Sequence, residues 1–163
     1  MGKFKNHRKE GFLASIPIVS LVDSRNDLTK RCKFNFSYFD VQDGISQNFE
    51  EWEHLELIKL LEKMKNFSKE SLEFWTKQNV GSFHVLEIYG SFPVNSDFSQ
   101  PKHIPHQAEW ARFHLENLVR VIGFVIPEEY HNNPQPTTRI LFDRNTFYVV
   151  YLDKEHRFYK TER

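Results

Sequence analysis

A stretch near the C-terminus, Asp143–Lys160, joins an apolar run to side chains that could carry out chemistry. The side chains after the run are acidic, basic or aromatic: Asp153, Lys154, Glu155, His156, Arg157, Tyr159 and Lys160. Cleavage of RNA through the ribose 2′-hydroxyl needs a base, a proton donor for the leaving 5′-oxygen and cations that offset the phosphorane charge. It needs no metal ion, and this cluster holds each of those residue types.

Within that chemistry, the predicted catalytic residues are His156, Arg157, Tyr159 and Arg120, which begins the preceding apolar strand. Lys154 and Lys160 are predicted to bind RNA phosphates. A second interpretation is a solvated, charged strand end that discourages pairing between sheet edges. The residues alone leave both interpretations open.

The first fifteen residues are predicted to form a basic, flexible arm, followed by a single domain over residues 16–163. Lys3, Lys5 and Arg8 give the arm its charge and are candidates for contact with RNA or a partner. The alternative is a solvated terminus without a role, which is common in proteins.

Composition restricts the class of protein. With 39% apolar and 15% aromatic residues in 163, the chain can build one real core. The formal net charge is zero, so contact with a nucleic acid would require a local basic patch. The single Cys32 indicates a reducing, cytoplasmic environment, and no apolar run reaches the length of a membrane span or forms a signal peptide.

Metal and cofactor chemistry is not predicted. Four histidines lie close in sequence, His103, His106, His114 and His131, but neither a Cys-x-x-Cys pair nor a His-Glu-x-x-His helix accompanies them. Phosphate-binding and nucleophile-elbow motifs are absent from the sequence. Asp143 and Asp153 flank one predicted strand and could form a metal-nuclease pair, although turns also favour aspartate. A metal nuclease is therefore the third hypothesis.

The hydrophobic pattern predicts an α+β fold. Strands are predicted over 16–22, 33–39, 82–92, 120–126, 140–142 and 146–152, and helices over 49–65, 68–77 and 106–119. The last strands lie close together in sequence, which favours an antiparallel meander. The predicted domain is an antiparallel sheet of about five strands packed by three helices, with a long polar loop over 93–105.

The stretch from Arg120 onward resembles the end of RelE/HigB-type toxins. The segments that carry the resemblance are R-V-I-G-F-V-I, N-T-F-Y-V-V-Y-L-D and K-E-H-R-F-Y-K. Such toxins are typically ribosome-dependent mRNA endonucleases, and their sites use basic, aromatic and histidine residues. The resemblance implies functional roles for Arg120, Lys154, His156, Arg157 and Tyr159.

A second resemblance covers most of the chain. K-F-N-F-S-Y-F-D at 33–40, Gly123-Phe124 and F-Y-V-V-Y-L-D-K-E-H-R-F-Y at 147–159 are similar to segments of small uncharacterised proteins from bacterial and mobile-element genomes. That family implies no particular activity.

Two function hypotheses follow. The first is a prokaryotic defence or toxin–antitoxin-like protein that acts on RNA or the ribosome, as a metal-independent endoribonuclease with an antitoxin or complex subunit as partner. It requires His156, Arg157 and Arg120 to converge. The second is a non-enzymatic interaction, immunity or accessory subunit that uses its aromatic surface and the 93–105 loop.

Overall fold

A mixed five-stranded sheet forms the centre of the protein in a computed structural model, which describes residues 7–17, 19–115, 117 and 119–160. The strands of this sheet are β1 (Lys33–Asn35), β4 (Leu86–Gly90), β5 (Glu109–His114), β6 (Arg120–Val125) and β7 (Thr146–Asp153), in the spatial order β1-β7-β6-β5-β4. β2 (Asn79–Val80) and β3 (Phe83–His84) form a separate antiparallel hairpin. The helices are α1 (His7–Ser15), α2 (His54–Phe67) and α3 (Leu72–Thr76).

The predicted α+β class is confirmed. β4, β5, β6 and β7 are consecutive antiparallel neighbours and form the predicted meander. The sheet of five strands was predicted as antiparallel, and β1 differs from this because it pairs with β7 in parallel. A parallel pair needs a long crossover connection, and here the whole of the intervening chain supplies it.

One face of the sheet is covered by α2 and α3. The backbone N–H of Glu53 donates to the Glu56 carboxylate at the start of α2, and this reciprocal capping satisfies a donor that the helix cannot. Met64 and Phe67 are buried on the sheet side, where the Phe67 ring stacks on Phe113 of β5 at 4.6 Å. Burial of this apolar side provides the main stabilisation of the helix.

The opposite face is covered by irregular chain instead of a helix. Phe98, from the predicted 93–105 loop, packs on Tyr151 of β7 with ring centroids 4.8 Å apart. Phe158, which is completely buried, packs on Trp110 of β5. Because both faces are covered, β5 and β6 are buried along almost their whole length.

The predicted helix over 106–119 is wrong, since the structure has strand β5 there. Trp110, Phe113 and Leu115 have spacings that also fit a helix. On a strand, Ala111 and Phe113 face the helices and Trp110 faces the loops. A strand buried on both faces lacks the apolar–polar alternation by which strands are recognised. Asn117, with φ of 52°, lies in the turn to β6.

Other predicted element boundaries differ from those in the structure, and local hydrogen bonds set the observed helix starts. The helix predicted from 49 begins as a separate turn, Phe49–Glu51, capped by Asn48, and α3 is capped by Ser71 instead of Ser68. The strand predicted over 33–39 is shorter, and the strand over 82–92 is divided between β3 and β4. Residues 140–142 contribute only an isolated bridge, Pro134 to Leu141. The described residues of 16–22 form no strand.

The predicted basic arm is described only from His7, and α1 occupies His7–Ser15 with no buried residue. Arg8 lies on this exposed helix, whereas Lys3 and Lys5 lie outside the described residues. The arm therefore stays a prediction. Within the described ranges, no helix is long and apolar enough to cross a membrane.

Candidate functional site

Charged and imidazole side chains meet on the loop-covered face, at the end of the sheet where β6 begins. This group, the polar cluster, consists of Glu87, Arg112, His114, Arg120, Asp153 and His156. Pairing between strands places Glu87 opposite Arg112, and His114 opposite Arg120, which is itself opposite Asp153. Residues directly opposite each other project from the same face of a sheet, so four strands bring together five of the six.

Arg112 lies at the centre of the polar cluster and is only 3% exposed. Its Nε donates to Glu87 Oε2 at 2.9 Å, and its Nη2 lies 2.7 Å from the same oxygen. Its Nη1 lies 2.7 Å from Nε2 of His156. The guanidinium also lies over the rings of Tyr89 and Tyr159, at 5.4 and 5.7 Å from their centroids. The cation therefore bridges a carboxylate and an imidazole.

The contact with Arg112 fixes the protonation state of His156. A guanidinium has only donors, so Nε2 must accept and the imidazole is neutral with its proton on Nδ1. Burial lowers the pKa of His156, and the charges of Arg112 and Arg120 lower it further. His156 is thus held as a proton acceptor, at a position only half-buried.

Asp153 shapes the turn that presents His156. Its carboxylate accepts from the backbone N–H groups of Glu155 at 3.0 Å, Arg157 at 2.7 Å and Phe158 at 2.9 Å. His156, between them, has φ of 57°, a left-handed conformation that is uncommon for residues other than glycine and asparagine. Backbone strain of this kind persists where surrounding contacts over-determine it, and here three hydrogen bonds to one carboxylate do so.

Burial and neighbouring charges shift several pKa values in the polar cluster, whose two arginines are matched by the carboxylates of Glu87 and Asp153. Burial lowers the pKa of His114 to about 4, assisted by the charges of Arg120 and Arg112. Burial and Arg112 lower the pKa of Arg120 to about 10, although Asp153 acts in the opposite direction. Burial opposes ionisation of Glu87, but its hydrogen bond and charge attraction to Arg112 outweigh this and lower its pKa.

Two buried nitrogen atoms in the polar cluster have no hydrogen-bond partner among the residues that the structure describes: His114 Nε2 and Arg120 Nε. His114 Nε2 lies 3.6 Å from Glu87 Oε2, which is beyond hydrogen-bond range. The Arg120 side chain donates instead through Nη1 to the carbonyls of Asn117 and Val119. Unsatisfied buried polar atoms are rare in folded proteins, so these two nitrogens have hydrogen-bonding capacity that a further polar group would satisfy.

Acidification is expected to destabilise the protein before its carboxylates titrate. His114 has an ordinary pKa of about 6.5 when unfolded and about 4 when folded, so the unfolded state binds more protons between these values. The stability is therefore fully present above about pH 6.5 and falls toward pH 4, by on the order of 2 kcal/mol or more. Urea unfolding at pH 7.0, 5.5 and 4.5 measures this loss.

A His114→Gln variant is expected to show a flatter dependence of unfolding free energy on pH over that window. His106→Gln is the matched control, because His106 is exposed and its replacement should leave the slope unchanged. Equal slopes for wild type and His114→Gln would show that the imidazole binds protons equally well in the folded and unfolded states, which contradicts a lowered pKa.

The predicted site residues divide into three groups. Arg120, His156 and Tyr159 come together around Arg112 and Glu87. Arg157 turns away, with Nε 3.1 Å from Asp97 Oδ2 and Nη1 donating to the Gly44 carbonyl at 2.6 Å. The predicted convergence therefore holds for His156 and Arg120 but not for the Arg157 side chain.

The two predicted RNA-binding lysines near the strand end are engaged elsewhere. Lys160 pairs with Asp97 at 2.5 Å, which ties the 93–105 loop to the chain after β7. Lys154 pairs with Glu56 of α2 at 2.5 Å and lies 4.8 Å from the centre of the Trp52 ring. These contacts attach the 93–105 loop and α2 to the chain that follows β7. Of the two lysines, only Lys160 is exposed.

The central residues of the polar cluster, Glu87 and Arg112, were not predicted from the sequence. Each lies in a strand whose other residues are mostly apolar: L-E-I-Y-G and E-W-A-R-F-H. A charged residue within a buried strand is uncommon unless it is paired, and two such strands are a usable signal. The signal was lost because 106–119 was interpreted as a helix, where Arg112 would be an ordinary exposed position.

The metal-nuclease hypothesis does not fit the placement of its two aspartates. Asp143 pairs with Lys33 at 2.6 Å before β7 begins, and Asp153 ends β7. At about 3.3 Å per residue, they are roughly 30 Å apart. Among the described parts of the chain, no group of three or more His, Cys, Asp or Glu residues could hold a metal ion.

A cleft of about 990 Å³ lies at the other end of the sheet, lined in part by Lys33, Glu128, Asp143 and Arg144. Four of its charged side chains form two ion pairs, since Arg144 lies 2.7 Å from Glu128 and Lys33 pairs with Asp143.

Fold and site define an α+β protein with a Glu–Arg–His arrangement around a buried arginine at one end of its sheet. Comparison with known proteins adds no relative, because no family model, no curated protein and no solved structure matches this chain. The geometry of the polar cluster is therefore the basis for assigning a function.

Proposed function

We propose that the protein is a metal-independent endoribonuclease whose site is the polar cluster. The observation that carries this proposal is the Arg112 guanidinium, held 2.7 Å from the neutral Nε2 of His156. Cleavage through the 2′-hydroxyl brings an attacking hydroxyl and a phosphate to adjacent positions. A base beside a phosphate-binding cation is the arrangement that this reaction requires.

In the proposed reaction, the phosphate takes the Arg112 Nη1 donor and thereby frees His156 Nε2. The 2′-hydroxyl gives its proton to Nε2, and its oxygen attacks phosphorus. The bond from phosphorus to the 5′-oxygen breaks, and the Tyr159 hydroxyl donates a proton to that oxygen. The products are a 2′,3′-cyclic phosphate and a 5′-hydroxyl; His156 then releases its additional proton to solvent, and Tyr159 takes one up from solvent.

Glu87 acts as a positioning residue in this scheme. Two nitrogens of Arg112 lie within 2.9 Å of one Glu87 oxygen, and the Tyr89 hydroxyl donates to the same oxygen at 3.1 Å. These contacts fix the direction of the guanidinium, whose Nη1 faces His156. The resemblance to RelE/HigB-type toxins supports the same class of reaction, with the prokaryotic defence role that it implies.

An RNA-cleavage assay in excess EDTA is expected to give products with 2′,3′-cyclic phosphate and 5′-hydroxyl ends, identified by mass spectrometry. Free RNA and ribosome-bound mRNA should both be tested, since the resemblance implies action at the ribosome. The matched control is a substrate of identical sequence with 2′-O-methyl groups, which lacks the attacking hydroxyl and should remain intact.

If both free RNA and ribosome-bound mRNA remain intact, the endoribonuclease proposal is wrong. The accessory-subunit hypothesis would then stand, favoured by an apolar stripe on the outer side of α2. Leu55, Ile58 and Leu61 recur at three-residue steps there and are 69%, 44% and 61% exposed.

A further inference from the structure

We propose that Arg120 and His114 form a second phosphate-binding subsite beside the cleavage site, so that the substrate must carry at least two consecutive phosphates. This inference rests on the proposed function for its substrate, an RNA strand. It rests on the structure alone for the anion site. The protein should therefore prefer trinucleotides and longer RNA to a dinucleoside monophosphate as substrates.

The first support is the pair of unsatisfied atoms. His114 and Arg120 are 4% and 5% exposed, yet His114 Nε2 and Arg120 Nε have no hydrogen-bond partner in the described parts of the chain. The two residues are directly opposite each other on β5 and β6, so their side chains are neighbours. A phosphate oxygen accepting from Arg120 Nε and from the Nε2–H tautomer of neutral His114 would satisfy both atoms.

The second support is the charge around these atoms. Arg112 and Arg120 face one another across β5 and β6 as a diagonal pair, about 7–8 Å apart along the sheet. Glu87 contacts Arg112, whereas the contacts of the Arg120 guanidinium are the neutral carbonyls of Asn117 and Val119. Asp153, opposite Arg120, offsets its charge, but the Asp153 oxygens accept from the backbone N–H groups of Glu155, Arg157 and Phe158, so the Arg120 Nε–H is left for a phosphate oxygen.

The third support is that the group covering His114 can be displaced. The His114 imidazole is stacked on Phe83, with ring centroids 5.3 Å apart. Phe83 belongs to the β2–β3 hairpin, whose strands have two residues each. Its side chain is 55% exposed. An isolated two-stranded hairpin has marginal stability, so displacement of Phe83 is an accessible route to His114 and Arg120.

The inference is tested by comparing a dinucleoside monophosphate with a trinucleoside diphosphate that contains the same cleavable step. The wild type is expected to cleave the trinucleotide at least about tenfold more efficiently in kcat/KM, as a charge-assisted hydrogen bond would give. In Arg120→Gln the ratio of the two efficiencies should fall to about one. Equal efficiencies for the wild type, or a ratio that Arg120→Gln preserves, would overturn the subsite.

A binding measurement separates the subsite from the cleavage chemistry and does not depend on a variant that folds. Inorganic phosphate is titrated into the ¹⁵N-labelled wild-type protein at constant ionic strength, while the Nε–H resonance of Arg120 is followed by NMR. Arg157, whose Nε already donates to Asp97, provides the internal control. A saturable shift of the Arg120 Nε–H resonance, with the Arg157 resonance unmoved, supports the anion site. If the Arg120 resonance does not move, or moves as much as that of Arg157, the anion site is overturned.

The two proposals fail in different ways. If neither nucleotide is cleaved, the endoribonuclease proposal fails, and the phosphate titration still decides whether the anion site exists. If both are cleaved equally and Arg120 does not respond to phosphate, the endoribonuclease stands without the subsite.

Discussion

A His156→Asn variant is expected to cleave RNA about 10²- to 10⁴-fold more slowly than the wild type, which is the usual contribution of a general base. Asparagine tolerates the left-handed backbone that His156 adopts, with φ of 57°. Its amide oxygen can still accept from Arg112, but it cannot take the proton of a 2′-hydroxyl. The variant therefore removes the chemistry and preserves the turn.

The pH dependence of cleavage provides a second readout for the same variant. Because neutral His156 is the proposed base, the wild-type kcat/KM is expected to rise with pH and then level off. Its midpoint should lie below the ordinary histidine value, since burial, Arg112 and Arg120 lower the pKa of His156. His156→Asn should lose this rise, whereas a structural role would leave its profile parallel to that of the wild type.

The matched control is His106→Asn, which replaces an exposed histidine outside the polar cluster. It should cleave RNA at the wild-type rate, and both variants should unfold at the wild-type temperature. Cleavage by His156→Asn within tenfold of the wild type would contradict the assignment of His156 as the base.

A Gly123→Ala variant is expected to lose about 3 kcal/mol or more of unfolding free energy, at the upper end of what overpacking produces. A Cβ atom at Gly123 would overlap the carbonyl oxygen of Tyr148 and lie 2.6 Å from Cε1 of Phe147. Both obstacles belong to β7, which is paired with β6 at this point through a register shift. The backbone oxygen cannot move without breaking that pairing.

Gly11→Ala is the control for this prediction. Gly11 lies in α1 with nothing within 4 Å of a Cβ atom, so alanine should be neutral or stabilise the helix by about 1 kcal/mol at most. Urea unfolding measures both variants. A Gly123→Ala midpoint equal to that of the wild type would show that the two strands can separate at the bulge without loss.

The sequence predicted the elements whose pattern reflects local physics. β6 and β7 are continuous apolar runs bounded by turn residues, and α2 has an amphipathic repeat with acidic residues before its first turn. β5 was mistaken for a helix because burial on both faces removes strand alternation and leaves apolar spacings compatible with either structure. Tertiary context, not local preference, determines the secondary structure of that segment.

The candidate site was only partly predictable for a related reason. His156, Tyr159 and Arg120 were identified from residue type and proximity to strand ends. The partners of Lys154 and Arg157 lie 98 and 60 residues away in sequence, so nothing local indicates that these cations are already paired. Arg112 and Glu87 required a correct register between β4 and β5, which a single sequence does not provide.

The position of β7 also determines when the protein can fold during synthesis. β7 lies between β1 and β6, and the contact from Lys33 to Asp143 spans 110 residues. Until the ribosome has released β7, β1 has no partner and β6 exposes one edge of an apolar strand. Contacts this distant in sequence slow folding and expose strand edges to aggregation. Nascent chains that stop before Thr146 should therefore depend on chaperones, and the active form should appear only after β7 has left the exit tunnel.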